Sequence, residues 1–187
     1  MSSNFNPQFA KIGEILVQKG KATESGINEA LAQQKTTNDK IGVTLIEMGF
    51  IEEEDFTSAF AEQLGYRKAD NFILLEADSE VASLISEDFA RENRVLAVQK
   101  SETTITVAME DPEDVVAVDS IKRLTNLTPD ILVAGPELLE KALDKVYGEI
   151  QKTTEVAETI ESITVVSGEE GSQEEVDLSP DKASDED

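Results

Sequence analysis

The sequence predicts an α+β fold: a tandem pair of helix–helix units, then a small α/β sandwich, then a disordered acidic tail. Three observations lead there. Apolar residues recur at three- and four-residue steps through residues 1–65, and the pattern repeats itself. Between residues 66 and 148 the period shortens in places to that of β-strands, in runs rich in Val, Ile and Thr. From residue 149 to 187 thirteen acids stand against Lys152 and Lys182, and from Ser167 onward apolar residues almost vanish. A segment of that composition cannot bury enough surface to offset chain entropy, which predicts a flexible linker or tail.

Taken in order, Phe9, Ile12, Ile15, Leu16 and Lys19 form one face of a first helix that Gly20 ends. Thr23 caps a second helix with Ile27, Ala30 and Leu31 on its apolar side. Asp39 is placed to cap a third, carrying Ile41, Leu45, Ile46 and Met48 up to Gly49. A fourth helix runs from about Glu52 to Leu64, with Phe56, Ala59, Phe60 and Gln63 along one side. Asn71 to Leu75 reads as a short apolar strand, and Ser79 to Glu92 as a helix presenting Val81, Leu84, Ile85 and Phe89. Arg94 to Gln99 and Thr103 to Met109 read as a hairpin turning at Lys100-Ser101-Glu102. Pro112 opens a helix over 113–125, Ile131 to Ala134 is a further strand, and Pro136 starts a helix reaching Tyr147. The sandwich is therefore helix, hairpin, helix, strand, helix.

Composition removes several chemistries. The 187 residues hold no Cys and no His, which excludes disulfides, Cys or His zinc sites, thiol nucleophiles and His-based triads. With 39% hydrophobic but only 5% aromatic residues the core must be aliphatic. The opening carries no basic n-region followed by an apolar run, and no apolar stretch approaches the roughly 20 residues of a membrane span. These features predict a cytoplasmic chain with no signal peptide and no membrane insertion. A net charge of −24 repels nucleic acid and anionic lipid. Residues 1–40 are the exception, with five Lys against four acids.

Self-similarity is the strongest signal. Lys11-Ile-Gly-Glu-Ile-Leu-Val-Gln-Lys-Gly20 aligns with Lys40-Ile-Gly-Val-Thr-Leu-Ile-Glu-Met-Gly49 at an offset of 29. The match continues through Ile27/Phe56, Ala30/Ala59, Leu31/Phe60, Ala32/Ala61 and Gln34/Gln63, giving two units, 11–34 and 40–63. Gly20 and Gly49 read as helix terminators. Gly13 and Gly42 cost about 0.5–1 kcal/mol inside a helix relative to Ala, so something must approach the backbone there. That is either a neighbouring helix or a ligand. Lys11, Lys40, Gln34 and Gln63 are either solvated or functional. Two like units suit a ligand with two-fold symmetry; amides can read a purine edge, and helix N-termini favour phosphate.

These residues resemble the N-terminal (MshEN) domain of type II secretion and type IV pilus assembly ATPases. The family pattern is Arg-Leu-Gly-x-x-Leu-(Val/Leu)-x-x-Gly continuing to Leu-x-x-Gln, twice, across a five-residue spacer. Val107-Ala-Met-Glu-Asp-Pro112, Asp119-Ser-Ile-Lys-Arg-Leu-Thr125 and Lys145-Val-Tyr-Gly148 are also family-like, so the resemblance covers about residues 8–148. It implies a regulatory and docking module that recruits a motor to the cytoplasmic part of an inner-membrane platform protein, peripheral to that membrane. It further implies cyclic-di-GMP as a regulatory ligand, with no other cofactor in this chain. By position, Lys11 and Lys40 make the first polar contacts, and Gln34 and Gln63 meet the guanine edges. Gly13, Gly20, Gly42 and Gly49 permit close approach, and Ile12, Leu16, Val17, Leu31, Ile41, Leu45, Ile46 and Phe60 supply apolar contact. Lys stands at both positions where the family has Arg. A flexible point charge replaces a planar bidentate group, which implies an affinity weakened or lost.

No Gly-x-x-x-x-Gly-Lys-(Ser/Thr) occurs, so the chain is not expected to be an enzyme. The resemblance places ATP and Mg²⁺ in a catalytic domain beyond Asp187, in a hexameric parent. The alternative is a free-standing cyclic-di-GMP effector or adaptor with the same domain. Acid clusters at Glu52-Glu53-Glu54 and at Glu110, Asp111, Glu113 and Asp114 are compatible with acid–base or Mg²⁺ chemistry, but both sit at helix starts, where negative charge is favoured anyway.

Overall fold

Four helices, α1 (Ile12–Gln18), α2 (Glu24–Thr37), α3 (Ile41–Glu47) and α4 (Glu53–Leu64), make up the first lobe of the computed structural model. The structure describes residues 11–168, with side chains through residue 157. Phe9 and the acidic stretch 169–187 lie outside the described residues. α1 packs on α4 and α2 on α3, so the first helix of each repeat lies against the second helix of the other. That exchange is the signature of an internal pseudo-dyad. Ile15, Leu16, Ala30, Leu45, Ile51 and Ala59 form the shared core. Leu16 and Leu45 are repeat-equivalents, and both are fully buried. Each contributes about 1.5–3 kcal/mol by leaving water.

The second lobe is a four-stranded sheet in the order β1-β4-β3-β2, with β1 (Arg67–Lys68), β2 (Val95–Lys100), β3 (Thr104–Met109) and β4 (Thr128–Val133). β2 and β3 form the antiparallel hairpin, with a bulge between Ala97 and Gln99. α8 (Val115–Thr125) carries the chain from β3 to its parallel neighbour β4. α5 (Asn71–Leu75), α6 (Ser79–Ala82), α7 (Glu87–Glu92) and α9 (Pro136–Gly168) complete the described elements. A second core, from Ala69 to Tyr147, fills the lobe and takes in Leu96, Ile105, Met109, Ile121, Leu139 and Leu143. The α+β fold class holds, with the tandem helical part first.

Several elements depart from the sequence reading. Asn71–Leu75 is helical rather than extended, because the Asp70 carboxylate accepts from the Phe72 N–H at 2.7 Å and caps a turn. The single helix expected over 79–92 is two. Ser86 is extended, and its hydroxyl accepts from the Phe89 N–H, which restarts the helix. Asp39 does not cap α3; Lys40 is the N-cap residue and lends no side-chain bond. β1 was not anticipated, being two polar residues that pair with Leu132 and Val133. β4 starts three residues earlier than Ile131, and Pro129 is tolerated because β1 pairs only with the far end of β4, leaving that stretch an edge. α9 does not stop at Tyr147 but continues to Gly168, as no proline and no left-handed residue interrupts it. The chain divides into two compact units at Ile150/Gln151.

Candidate functional site

The two repeats have the same backbone. Lys11 and Lys40, the N-cap residues of α1 and α3, sit at φ/ψ −69/147 and −68/141. Lys19 and Met48, the C-cap residues, sit at −75/−2 and −76/−4. Gly20 and Gly49 follow at φ +67 and +71, a left-handed step glycine takes without strain, and the chain then closes with Lys21 N–H to Leu16 O and Phe50 N–H to Leu45 O, at 2.9 and 3.0 Å. Packing across the pseudo-dyad is matched as well. Lys21 pairs with Asp55 at 2.8 Å, and its equivalent Phe50 lies against Gly26, the equivalent of Asp55. Pairing with the Asp55 carboxylate raises the Lys21 pKa.

Gly13 and Gly42 admit a side chain from the next helix of their own repeat. A Cβ at Gly13 would lie 2.9 Å from Ile27 Cγ2, and one at Gly42 closer still to the Phe56 ring. The helix-neighbour explanation accounts for both glycines. Each repeat thereby forms a groove between its two helices. The first is a cavity of about 460 Å³ lined by Gly13, Glu14, Val17, Gln18, Glu24, Ile27 and Asn28. The second retains about 160 Å³ and is lined by Lys40, Gly42, Ile46, Phe56 and Phe60 together with Glu110, Asp111 and Pro136 of the sheet lobe. Phe56 and Phe60 stack at 5.8 Å along its wall.

Of the predicted site residues, Gly13 and Val17 line the first cavity, while Lys40, Gly42, Ile46 and Phe60 line the second. Lys11, Lys40, Gly20, Gly49 and Leu31 are exposed, and Ile12, Ile41, Gln34 and Gln63 are half-buried. The Gln34 amide donates to Asp39 O at 2.9 Å, next to Lys40, so Gln34 and Lys40 share the α2–α3 junction. Leu16 and Leu45 have no accessible surface and belong to the core rather than to a contact face.

The acid clusters have structural partners. Lys68 donates to Glu54 at 2.7 Å, and Arg94 bridges Glu110 and Glu140. Glu53, at the first turn of α4, accepts from the Glu137 N–H at 3.0 Å and so caps the start of α9 from the other lobe. Burial raises its pKa, and the backbone N–H groups of α9 counter part of that. Glu53 and its repeat-equivalent Glu24 were absent from the sequence-derived site, although their identity at the 29-residue offset was there to find.

Residues 72–152 match the model of the MshEN domain family. The likeness to that family rests on these residues, a little under half of the chain. The family match falls on the sheet lobe and α9, downstream of the tandem units that first suggested the resemblance. The solved structure of MshE with cyclic-di-GMP is similar over 74% of this chain and 99% of that one, with a TM-score of 0.62 and 29% identity. The N-terminal domain of XpsE is similar in fold to this chain, at a TM-score of 0.55 and 19% identity, over 76% of this chain and 97% of that one. The type IV pilus assembly ATPase PilB of Myxococcus xanthus (strain DK1622) is 27% identical over 139 residues, 74% of this chain. The chain spans 24% of that relative's length. Among the described residues no helix of this chain is long and apolar enough to cross a membrane.

Proposed function

We propose that this chain is the N-terminal regulatory and docking module of a type IV pilus assembly or type II secretion ATPase. It recruits the motor to the cytoplasmic part of an inner-membrane platform and senses cyclic-di-GMP through its paired repeats. Similarity to PilB and to the N-terminal domain of XpsE supports the motor assignment. The observation that carries the ligand is the agreement of the two repeats to within a few degrees at their cap residues, in a chain similar to MshE solved with that ligand. A two-fold ligand needs two like surfaces, and an internal pseudo-dyad supplies them. Exposed Lys11 and Lys40 stand where α1 and α3 begin, and free N–H groups at helix starts favour phosphate. ATP and Mg²⁺ would be bound by a catalytic domain elsewhere in a hexameric parent, not by this module, which acts in the cytoplasm beside the membrane.

Isothermal titration with cyclic-di-GMP is the test. Saturable heat is expected for the native chain, lost in the Gln34→Ala, Gln63→Ala double variant. Lys11→Arg with Lys40→Arg is expected to tighten binding at least tenfold, because a planar fork can pair with guanine or phosphate at two points. No heat at high micromolar ligand would remove the second-messenger role and leave docking alone.

A further inference from the structure

The groove of the second repeat is already a docking surface. In it the α4 face carrying Glu53 and Thr57 receives the corner between β4 and α9. The Glu53 carboxylate accepts from the Glu137 N–H at 3.0 Å, and the corner comes in so close that a Cβ on Gly135 would lie 2.9 Å from Thr57 Oγ1 and nearer still to Glu53 Oε1. Val133, Ala134 and Pro136 wall the same groove on the sheet-lobe side, leaving about 160 Å³ of it open. The occupant is thus a helix start of particular chemistry: two apolar residues, a glycine that permits contact, a proline at the first turn, and free N–H groups aimed at a carboxylate.

The first repeat has the same groove, and none of the described residues is seated in it. Shifting its lining by 29 residues turns Gly13, Glu14, Val17, Glu24, Ile27 and Asn28 into Gly42, Val43, Ile46, Glu53, Phe56 and Thr57, all of which line the second groove; of the first lining only Gln18 has an equivalent, Glu47, that does not. Glu24 holds the place of Glu53, in the first turn of α2 as Glu53 is in the first turn of α4, and it is exposed. Glu14 in place of Val43 adds a second negative charge at the rim, which favours the positive end of a helix dipole. Ile27 replaces Phe56, so the floor is apolar but lower.

We infer that the first-repeat groove is a docking site for the N-terminus of a partner protein's helix that opens with an apolar-Gly-Pro corner, with Glu24 accepting from its first free N–H groups. This goes beyond the cyclic-di-GMP reading and does not depend on it, although the groove shares Gly13 and Val17 with the residues given to that ligand. A second copy of this chain is not the occupant, since its own Gly135-Pro136 corner is engaged by Glu53.

The probe is the corner itself: a synthetic peptide of residues 131–150 of this chain, with a staple joining positions 140 and 144 on the exposed side of α9 to hold it helical. It is titrated into the intact isotope-labelled chain and followed by amide NMR. Saturable shifts are expected at Val17, Glu24 and Asn28. Glu24→Gln, which keeps an acceptor oxygen, retains binding; Glu24→Lys weakens it at least tenfold, as does a peptide carrying Gly135→Val. Three results would overturn the proposal: no saturable shift, shifts confined to α4 and α9 through exchange with the chain's own corner, or binding indifferent to Glu24→Lys. Loss of cyclic-di-GMP binding in the Gln34→Ala, Gln63→Ala variant tests the other reading separately.

Discussion

Gly42 and Gly13 occupy the same position in the two repeats, yet their neighbours differ in what they can yield. A methyl group at Gly42 would collide with the Phe56 ring, which is stacked on Phe60 and cannot swing away without breaking that contact. At Gly13 the one tight contact is the Cγ2 methyl of Ile27, at 2.9 Å, with the rest of that side chain at ordinary van der Waals distance. Alanine gains about 1 kcal/mol in helix propensity over glycine at both sites. Gly42→Ala is therefore expected to destabilise by about 1–3 kcal/mol, while Gly13→Ala stays within about 1 kcal/mol of neutral. Urea denaturation of the two variants decides it, and equal losses would mean the repeats do not share the packing described. Repetition alone marked both glycines as sites of close approach. It could not say what approached, because a helix and a ligand impose the same demand on the backbone. Leu16 and Leu45 were ambiguous in the same way, and the structure assigns them to the core.

At the scale of elements, the long ones were legible and the short ones were not. α2, α4, α8 and the β2–β3 hairpin each hold enough turns or alternations for their period to show. α5 and β1 do not: a five-residue helix defined by one capping carboxylate, and a two-residue strand defined only by its partner, leave almost no periodic trace. The length of α9 was missed because Gly148 interrupts its sequence and the stretch beyond is rich in Thr, Val and Ile, β-branched residues of low helix propensity. Its proximal half is anchored by Tyr147, whose hydroxyl donates to Ala82 O and Ile85 O at 3.2 and 2.9 Å. Burial pushes the Tyr147 pKa up to about 12, from an ordinary value of 10.0. The folded state thus holds this proton where the unfolded chain releases it, so the stabilisation is complete below pH 10 and fades as pH rises toward 12. Tyr147→Phe is expected to cost about 1–2 kcal/mol at neutral pH. The gap between native and variant should narrow above pH 10, by at most about 1.4 kcal/mol per pH unit. Denaturant titrations at pH 8, 10 and 11 read this out, and a gap that widens with pH contradicts the burial of the phenol.

For the molecule as a whole, the sequence carried the α+β class and the tandem organisation, because both are written in long-range pattern. It did not carry how the two lobes meet. That contact includes the Lys68–Glu54 pair and Glu53 reaching the Glu137 N–H of α9, a bond spanning 84 positions in the chain that no local spacing announces. Nor did it show that each repeat forms its own groove, the second closed by the sheet lobe and the first left uncovered by the described residues. The proposal of a two-fold ligand requires the two units to act together in spite of that difference. An amide NMR titration with cyclic-di-GMP tests this most directly. Shifts at residues 11–20 and 40–49 should follow one saturation curve, with one ligand bound per chain. Movement in a single repeat, or in neither at high micromolar ligand, would contradict the account.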